Sequence, residues 1–467
     1  MDSNSEEKAI QSSPDAEKGE KTLDNGLHHV TTEKVEESAI DILQLVNEDD
    51  PDHPLHWPAW KKWVITAIYC LLQVFVTITS TSYVSAEFLI EEKFNTSNVQ
   101  VVTLGQSMFI GCALPKNLPM LIIFQFLSGT AGSTAVSNVA GTIADLFGHS
   151  DEAGQAMALF VWAANAGPSL GSPIGEWIAD NANMGLPWIF WINVIIGGVF
   201  AFGLCFVPET LPRVVISRAV KSRGTTDANE LAVTQTSLAI LNEIRFVTTM
   251  AFRIMLFEPI VTFLAIYNGF AYGLLFLYLD GVFDVFAVNN GLSYIEADLT
   301  YLNFIVGVTI MFCFMPVQTY FFKRDRLKHG HVRPEARFLT SLVAVWGFPI
   351  SLLWFGFTSN GKTSYWSPVI AGTLLGFSDP LLYLGMLNYI TDAYPNVAAS
   401  AIAAFVIPSF AIAAAFAHIG IIMFENMSTT WAMATLGFVS LSIVALVYIL
   451  YFYGLQLRKM SKLARSF

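Results

Sequence analysis

The chain has 467 residues, 54% hydrophobic and only 13% charged, with a mean hydropathy of +0.52 and a formal net charge of -12. That much apolar surface excludes a soluble domain of this length and makes the bilayer the solvent. The negative charge owes much to the first sixty residues, so it does not argue for a basic ligand, and no nucleic-acid partner is expected.

Residues 1–60 are polar and acidic with no apolar h-region, which predicts a disordered cytoplasmic tail and no cleavable signal peptide. Trp57, Trp60 and Trp63, interleaved with Lys61 and Lys62, then read as an interfacial belt. Apolar runs long enough to cross a hydrocarbon core of about 30 Å predict spans near 62–83, 118–147, 153–179, 186–208, 258–286, 296–322, 337–358, 365–390, 397–424 and 430–455. The segment 99–114 is doubtful, because its length gives a helical rise of only about 24 Å. Domain organisation follows: an N-terminal bundle over 61–208, a basic linker over 209–257, a six-helix C-terminal bundle over 258–455, and a tail over 456–467.

Lysine and arginine orient these spans, because positive short loops stay on the cytoplasmic side. They cluster before the first span, in 209–257 (Arg213, Arg218, Lys221, Arg223, Arg245, Arg253), in 323–337 and in the C-terminal tail. The remaining loops hold only Lys93, Lys116 and Lys362. Both termini and the linker therefore share the cytoplasmic side, and the sequons at Asn95 and Asn426 fall outside as glycosylation candidates. An even number of crossings must precede residue 209. Four spans already do, so 99–114 is either re-entrant or interfacial, or the remnant of a piece whose other half is absent. The four cysteines all lie within apolar segments at no metal-type spacing and read as buried thiols.

Ionisable or amide side chains inside spans are the functional candidates, since each charged group costs at least about 2.5 to 3.5 kcal/mol to insert. Asp379, followed by Pro380, sits near the middle of its span. It reads as a proton carrier, as a partner for a cationic substrate, or as a structural carboxylate at a proline kink. Asp280 and Asp284 lie four apart on one helical face near the outer end of their helix, as a gate or as a solvated rim. Gly167, Pro168, Gly171 and Pro173 read either as a hinge or as close packing between helices. Tyr83 closes a polar stretch that begins at Thr77, and together with Gln125, Asn138, Asn268, Tyr272, Asn303 and Asn388 it can line a path. Most such groups bond backbone instead. His418, deep in a span, reads as a buried neutral imidazole. No Ser/His/Asp set, metal cluster or phosphate loop occurs at usable spacing, so neither an enzyme nor a bound cofactor is expected.

Specific motifs add a resemblance. The segments HPLHWPAWKKW (53–63), SNVAGTIADLF (137–147), AGPSLGSPIG (166–175), PWIFWI (187–192) and VPET (207–210) resemble the fungal drug:proton antiporter branch of the major facilitator superfamily. In the second half EPIVTFLAIYNGFAYGLLFLYLD (258–280), RPEAR (333–337), LNYITDAY (387–394) and AASAIAA (398–404) continue it. The resemblance implies an all-α polytopic fold of two helical bundles that rock about a midplane site. It also implies a plasma-membrane exporter of small organic compounds, driven by protons and embedded in lipid. Against that pattern most of the hairpin formed by the second and third helices is missing, with Ile110 joined directly to Gly111. The family's arginines in the fourth and eleventh helices are replaced by Gln125 and Ser409, which puts proton coupling in doubt. A transporter-derived scaffold or sensor is the alternative.

Overall fold

A computed structural model describes residues 50–82, 132, 138–148, 150, 152–181, 183–223, 237–330, 333–394 and 397–461. Tyr83, Asn95, Cys112, Gln125, the segment 99–114 and the junction of Ile110 with Gly111 lie outside them, as do residues 1–49 of the acidic tail. The regular structure of the described residues is all helical, with no strand among them.

Helix α1 is Ala59–Thr81 and α2 covers 138–147. Helices α3 (Ala153–Ala179) and α4 (Leu186–Leu204) complete the described part of the first half. The linker folds α5 (Pro212–Arg223) and α6 (Ser237–Phe257), two helices the sequence reading did not place there. The second half runs through α7 (Pro259–Phe283), α8 (Tyr294–Leu299), α9 (Leu302–His329), α10 (Ser341–Ala344) and α11 (Gly347–Thr358). It ends with α12 (Trp366–Ala393), α13 (Ala398–Asn426), α14 (Thr429–Val439) and α15 (Leu441–Met460). Among the described residues seven helical stretches are long and apolar enough to cross a membrane, or eight with the bent pair of α6 and α7. Of the ten expected spans, nine coincide with helices, one of them, α3, not among the stretches just counted, and the last turns of 118–147 coincide with α2.

Several expectations are corrected. Asp284 does not continue α7. A π-helical turn, Asp284–Asn289, begins there and shifts the register of the residues that follow. Cys70 is buried, but Cys205 and Cys313 are exposed on the outer surface of the bundle, where an apolar thiol meets lipid at no cost. His418 is half-exposed rather than enclosed, with Nδ1 3.0 Å from the Ala414 carbonyl.

Two apolar clusters organise the molecule. One lies within the second half and is built largely from α7, α11, α12, α13 and α15. The other joins the halves: Ile65, Cys70, Ile143, Phe147 and Phe160 pack with Val308, Met311 and Met315 of α9 and with Leu381, Leu384 and Leu387 of α12. In the first half α1 and α3 approach so closely that glycine is obligatory. A Cβ at Gly167, Gly171 or Gly175 would sit 2.7, 2.5 or 1.9 Å from the carbonyl oxygens of Val74, Ile78 and Ser82. The spacing of four puts all three on one stripe of α3. In the second half Gly269 and Gly273 play the same part for α7 against Ser409 and Phe416 of α13.

The far end of the second half is held by charge. Arg333 pairs with Asp325, whose hydrogen bond holds the guanidinium above its usual range, and Arg337 pairs with Asp392 at 2.7 Å. Glu335 receives two bonds from the buried Arg458 of α15, at 2.9 and 3.0 Å. A buried ion pair of this kind needs such two-point geometry to offset its desolvation.

Candidate functional site

Helix α12 runs unbroken from Trp366 to Ala393 with Pro380 inside it. Its residues belong alternately to the two clusters: Leu375, Leu382 and Met386 to the second-half core, Leu381, Leu384 and Leu387 to the seam between halves. Tyr383 packs against both, which places its neighbour one turn earlier, Asp379, beside the seam. Asp379 is buried at 7% exposure, and among the described residues no basic side chain pairs with it.

What surrounds the carboxylate is aromatic and hydroxylic. Tyr267 and Tyr272 of α7 and Tyr383 of α12 lie within electrostatic reach of it. The Tyr267 hydroxyl is buried without a hydrogen-bond partner. The Tyr272 ring packs on Phe410 of α13 at 5.4 Å, and Tyr383 stacks on Phe405 at 6.2 Å. A buried anion among ring faces, with the unfilled hydroxyl of Tyr267 nearby, can take up a proton, or accept a cation that the rings also attract.

The other sequence candidates separate into groups. Tyr272 joins Asp379. Asn268 and Asn388 are buried, and the Asn388 amide nitrogen lacks a partner. Asn303 is a strut instead, since its amide donates to Tyr278 at 3.2 Å and to the Val369 carbonyl at 3.3 Å, tying α9 to α7 and α12. Asn138 is exposed at the start of α2. Asp280 lies in the last turn of α7, beyond this cluster along the chain. Asn426 ends α13, exposed, with its amide bonded to Ile422. The hydroxyls of Thr77, Thr79, Ser80 and Thr81 bond backbone carbonyls, as most such groups in membranes do. Gly167 and Gly171 serve close packing. Pro168 and Pro173 lie inside α3, and the Pro168 carbonyl receives the Thr81 hydroxyl at 3.1 Å.

Sequence reasoning missed Tyr267 and Tyr383. Tyr383 was accessible through its spacing from Asp379, whereas Tyr267 depends on a tertiary contact. It also missed two polar contacts across the seam, Trp162 Nε1 to Thr309 Oγ1 at 3.0 Å and Ser172 Oγ to Asp298 Oδ2 at 3.2 Å.

Two helical bundles meeting along a seam, with the buried carboxylate of Asp379 beside it, define a polytopic membrane transporter. The Major Facilitator Superfamily profile matches residues 64–418, and the chain belongs to that family, in the branch that holds fungal exporters. It is similar to an uncharacterized transporter of Schizosaccharomyces pombe, 44% identical over 91% of this chain and 85% of that one. The Vitamin B6 transporter bsu1 of the same organism is 38% identical, over 94% of this chain and 90% of its own. The Citrinin biosynthesis cluster MFS transporter mrr1 of Monascus ruber is 30% identical, over 94% and 96%. Among solved structures the proton:xylose symporter XylE aligns with a TM-score of 0.60 over 85% of this chain and 97% of its own, at 15% identity, which speaks to fold.

Proposed function

We propose that the protein is a proton-coupled exporter of small organic compounds at the plasma membrane, with both termini and the 209–257 linker in the cytoplasm. The observation that carries the reading is Asp379: a carboxylate buried beside the seam with no basic partner among the described residues. Holding such a charge is costly, and a site that cycles a proton or a cation gives it a use. Relatives named for a vitamin and for a secondary metabolite support a small organic substrate, and the family's alternating-access design supplies the motion.

Asp379→Asn is expected to abolish pH-dependent efflux of a fluorescent organic substrate from vesicles while surface expression stays normal. Unchanged efflux with unchanged pH dependence would remove Asp379 from the mechanism. Orientation has its own test, labelling of an introduced cysteine at Ser222 by an impermeant maleimide. Labelling on intact cells would overturn the cytoplasmic assignment.

A second reading, a transport-impaired scaffold or sensor, draws on one further observation. The alignment to the first S. pombe relative extends over 465 residues yet occupies 91% of these 467, about 425, so about forty aligned positions have no counterpart here. That is the length of one transmembrane hairpin. Substrate binding without flux would favour this reading.

A further inference from the structure

The corner between α6 and α7 has a geometry that the transport cycle does not require. Pro259 disfavours the helical conformation at Glu258, and the stretch Thr248–Phe257 meets Pro259–Leu275 at 91°. Because α7 crosses the bilayer, the end of α6 lies in the membrane plane. The corner is firmly tied: Thr262 donates its hydroxyl to the Met255 carbonyl at 2.6 Å, and the buried Glu258 accepts the Tyr394 hydroxyl at 3.1 Å. Tyr394 directly follows α12, the helix that carries Asp379.

The faces of α6 divide sharply. Met250, Ala251 and Ile254 are buried against the second-half core, and the helix packs on α13. The opposite stripe, at spacings of three and four, is Arg245, Thr248, Thr249, Phe252, Arg253, Leu256 and Phe257, all exposed. Phe252 is 49%, Leu256 70% and Phe257 75% exposed. An in-plane helix with large apolar side chains on one outer stripe, flanked by arginines, has the composition of an interfacial helix. In water that stripe would be unfavourable; at the boundary between acyl chains and headgroups it is not. The two arginines then stand at the depth of the phosphates.

We infer that α6 is a lipid-docking helix whose outer stripe, Phe252, Leu256 and Phe257 with Arg245 and Arg253, binds an anionic phospholipid surface. Its ligand is the negatively charged headgroup layer, and its apolar residues enter the acyl boundary below. Through Glu258 and Tyr394 the docked helix holds the end of α12. In the cell the layer concerned is the inner leaflet, which rests on the proposed orientation. The test does not, because a nanodisc offers both leaflets.

The experiment is hydrogen exchange by mass spectrometry on the full-length protein in nanodiscs of phosphatidylcholine, with or without about a third phosphatidylserine. Each arginine near an anionic surface strengthens docking roughly fivefold, so amides 248–257 should exchange on the order of tenfold slower in the serine-containing discs. Peptides from buried α7 serve as the folding control. The double variant R245Q/R253Q should lose the dependence on composition, and F252S/L256S should exchange fast in both discs. Equal exchange of the wild type in the two compositions overturns the proposal without recourse to any variant. So does full composition dependence in R245Q/R253Q, or wild-type protection in F252S/L256S.

Discussion

Tyr267 carries a hydroxyl that is buried, unpartnered and within reach of Asp379. If it served packing alone, Tyr267→Phe would be neutral or stabilising, since removing an unsatisfied buried hydroxyl relieves about 1 to 3 kcal/mol. A group that waits for substrate behaves differently. The expected outcome is an unchanged or raised melting temperature together with a several-fold rise in the KM for transport, and an unchanged KM would sink it. Asp379 was legible in the sequence because an acid inside an apolar run stands out against the hydropathy around it. Tyr267 was not, because its contact with Asp379 spans more than a hundred residues. Ser409 shows the same limit. Its sequence reads as the loss of an arginine, yet its hydroxyl bonds the Ala265 carbonyl at 2.9 Å and it faces Gly269 in a tight crossing of α7 and α13. Ser409→Arg is therefore expected to lower the melting temperature strongly by overpacking, rather than to restore a lost function, and detergent-solubilised protein suffices to check it.

At the scale of elements, the glycine stripe of α3 packs closely on α1, whichever of hinge or packing its prolines serve. Gly171→Ala places a Cβ 2.5 Å from the Ile78 carbonyl, so backbone must move, whereas Gly198→Ala meets nothing within 4 Å. The first is expected to cost about 1 to 3 kcal/mol by overpacking and the second almost nothing, read as melting temperatures of the two variants side by side. The spacing of the glycines was visible in the chain, but the partner helix was not, since any helix can receive such a stripe. The RPEAR segment behaves similarly. Its charges were legible, but their three partners, Asp325, Asp392 and Arg458, come from three different helices. Glu335→Ala leaves Arg458 buried without its carboxylate, which costs about 3 to 5 kcal/mol, while a double change of both residues to leucine should recover most of that loss.

For the whole molecule, hydropathy located most of the long apolar helices because each crossing is a local property of about twenty residues. The seam is not local. It depends on which face of α3 meets α8 and α9, and among the described residues side-chain bonds from Trp162 to Thr309 and from Ser172 to Asp298 mark it. Alternating access requires the halves to separate on one side and then on the other, so at least one of these contacts must break in each cycle. A double variant, Ser172→Cys with Asp298→Cys, replaces the outer contact by a bond that cannot open. Oxidation is expected to halt efflux and reduction to restore it, with the cross-link followed by a change in mobility on a gel. If the cross-link forms fully and efflux continues at the original rate, the halves do not part at that end and the rocking motion is excluded. If it forms and there was no efflux to halt, while substrate still binds, the chain behaves as the scaffold or sensor of the second reading.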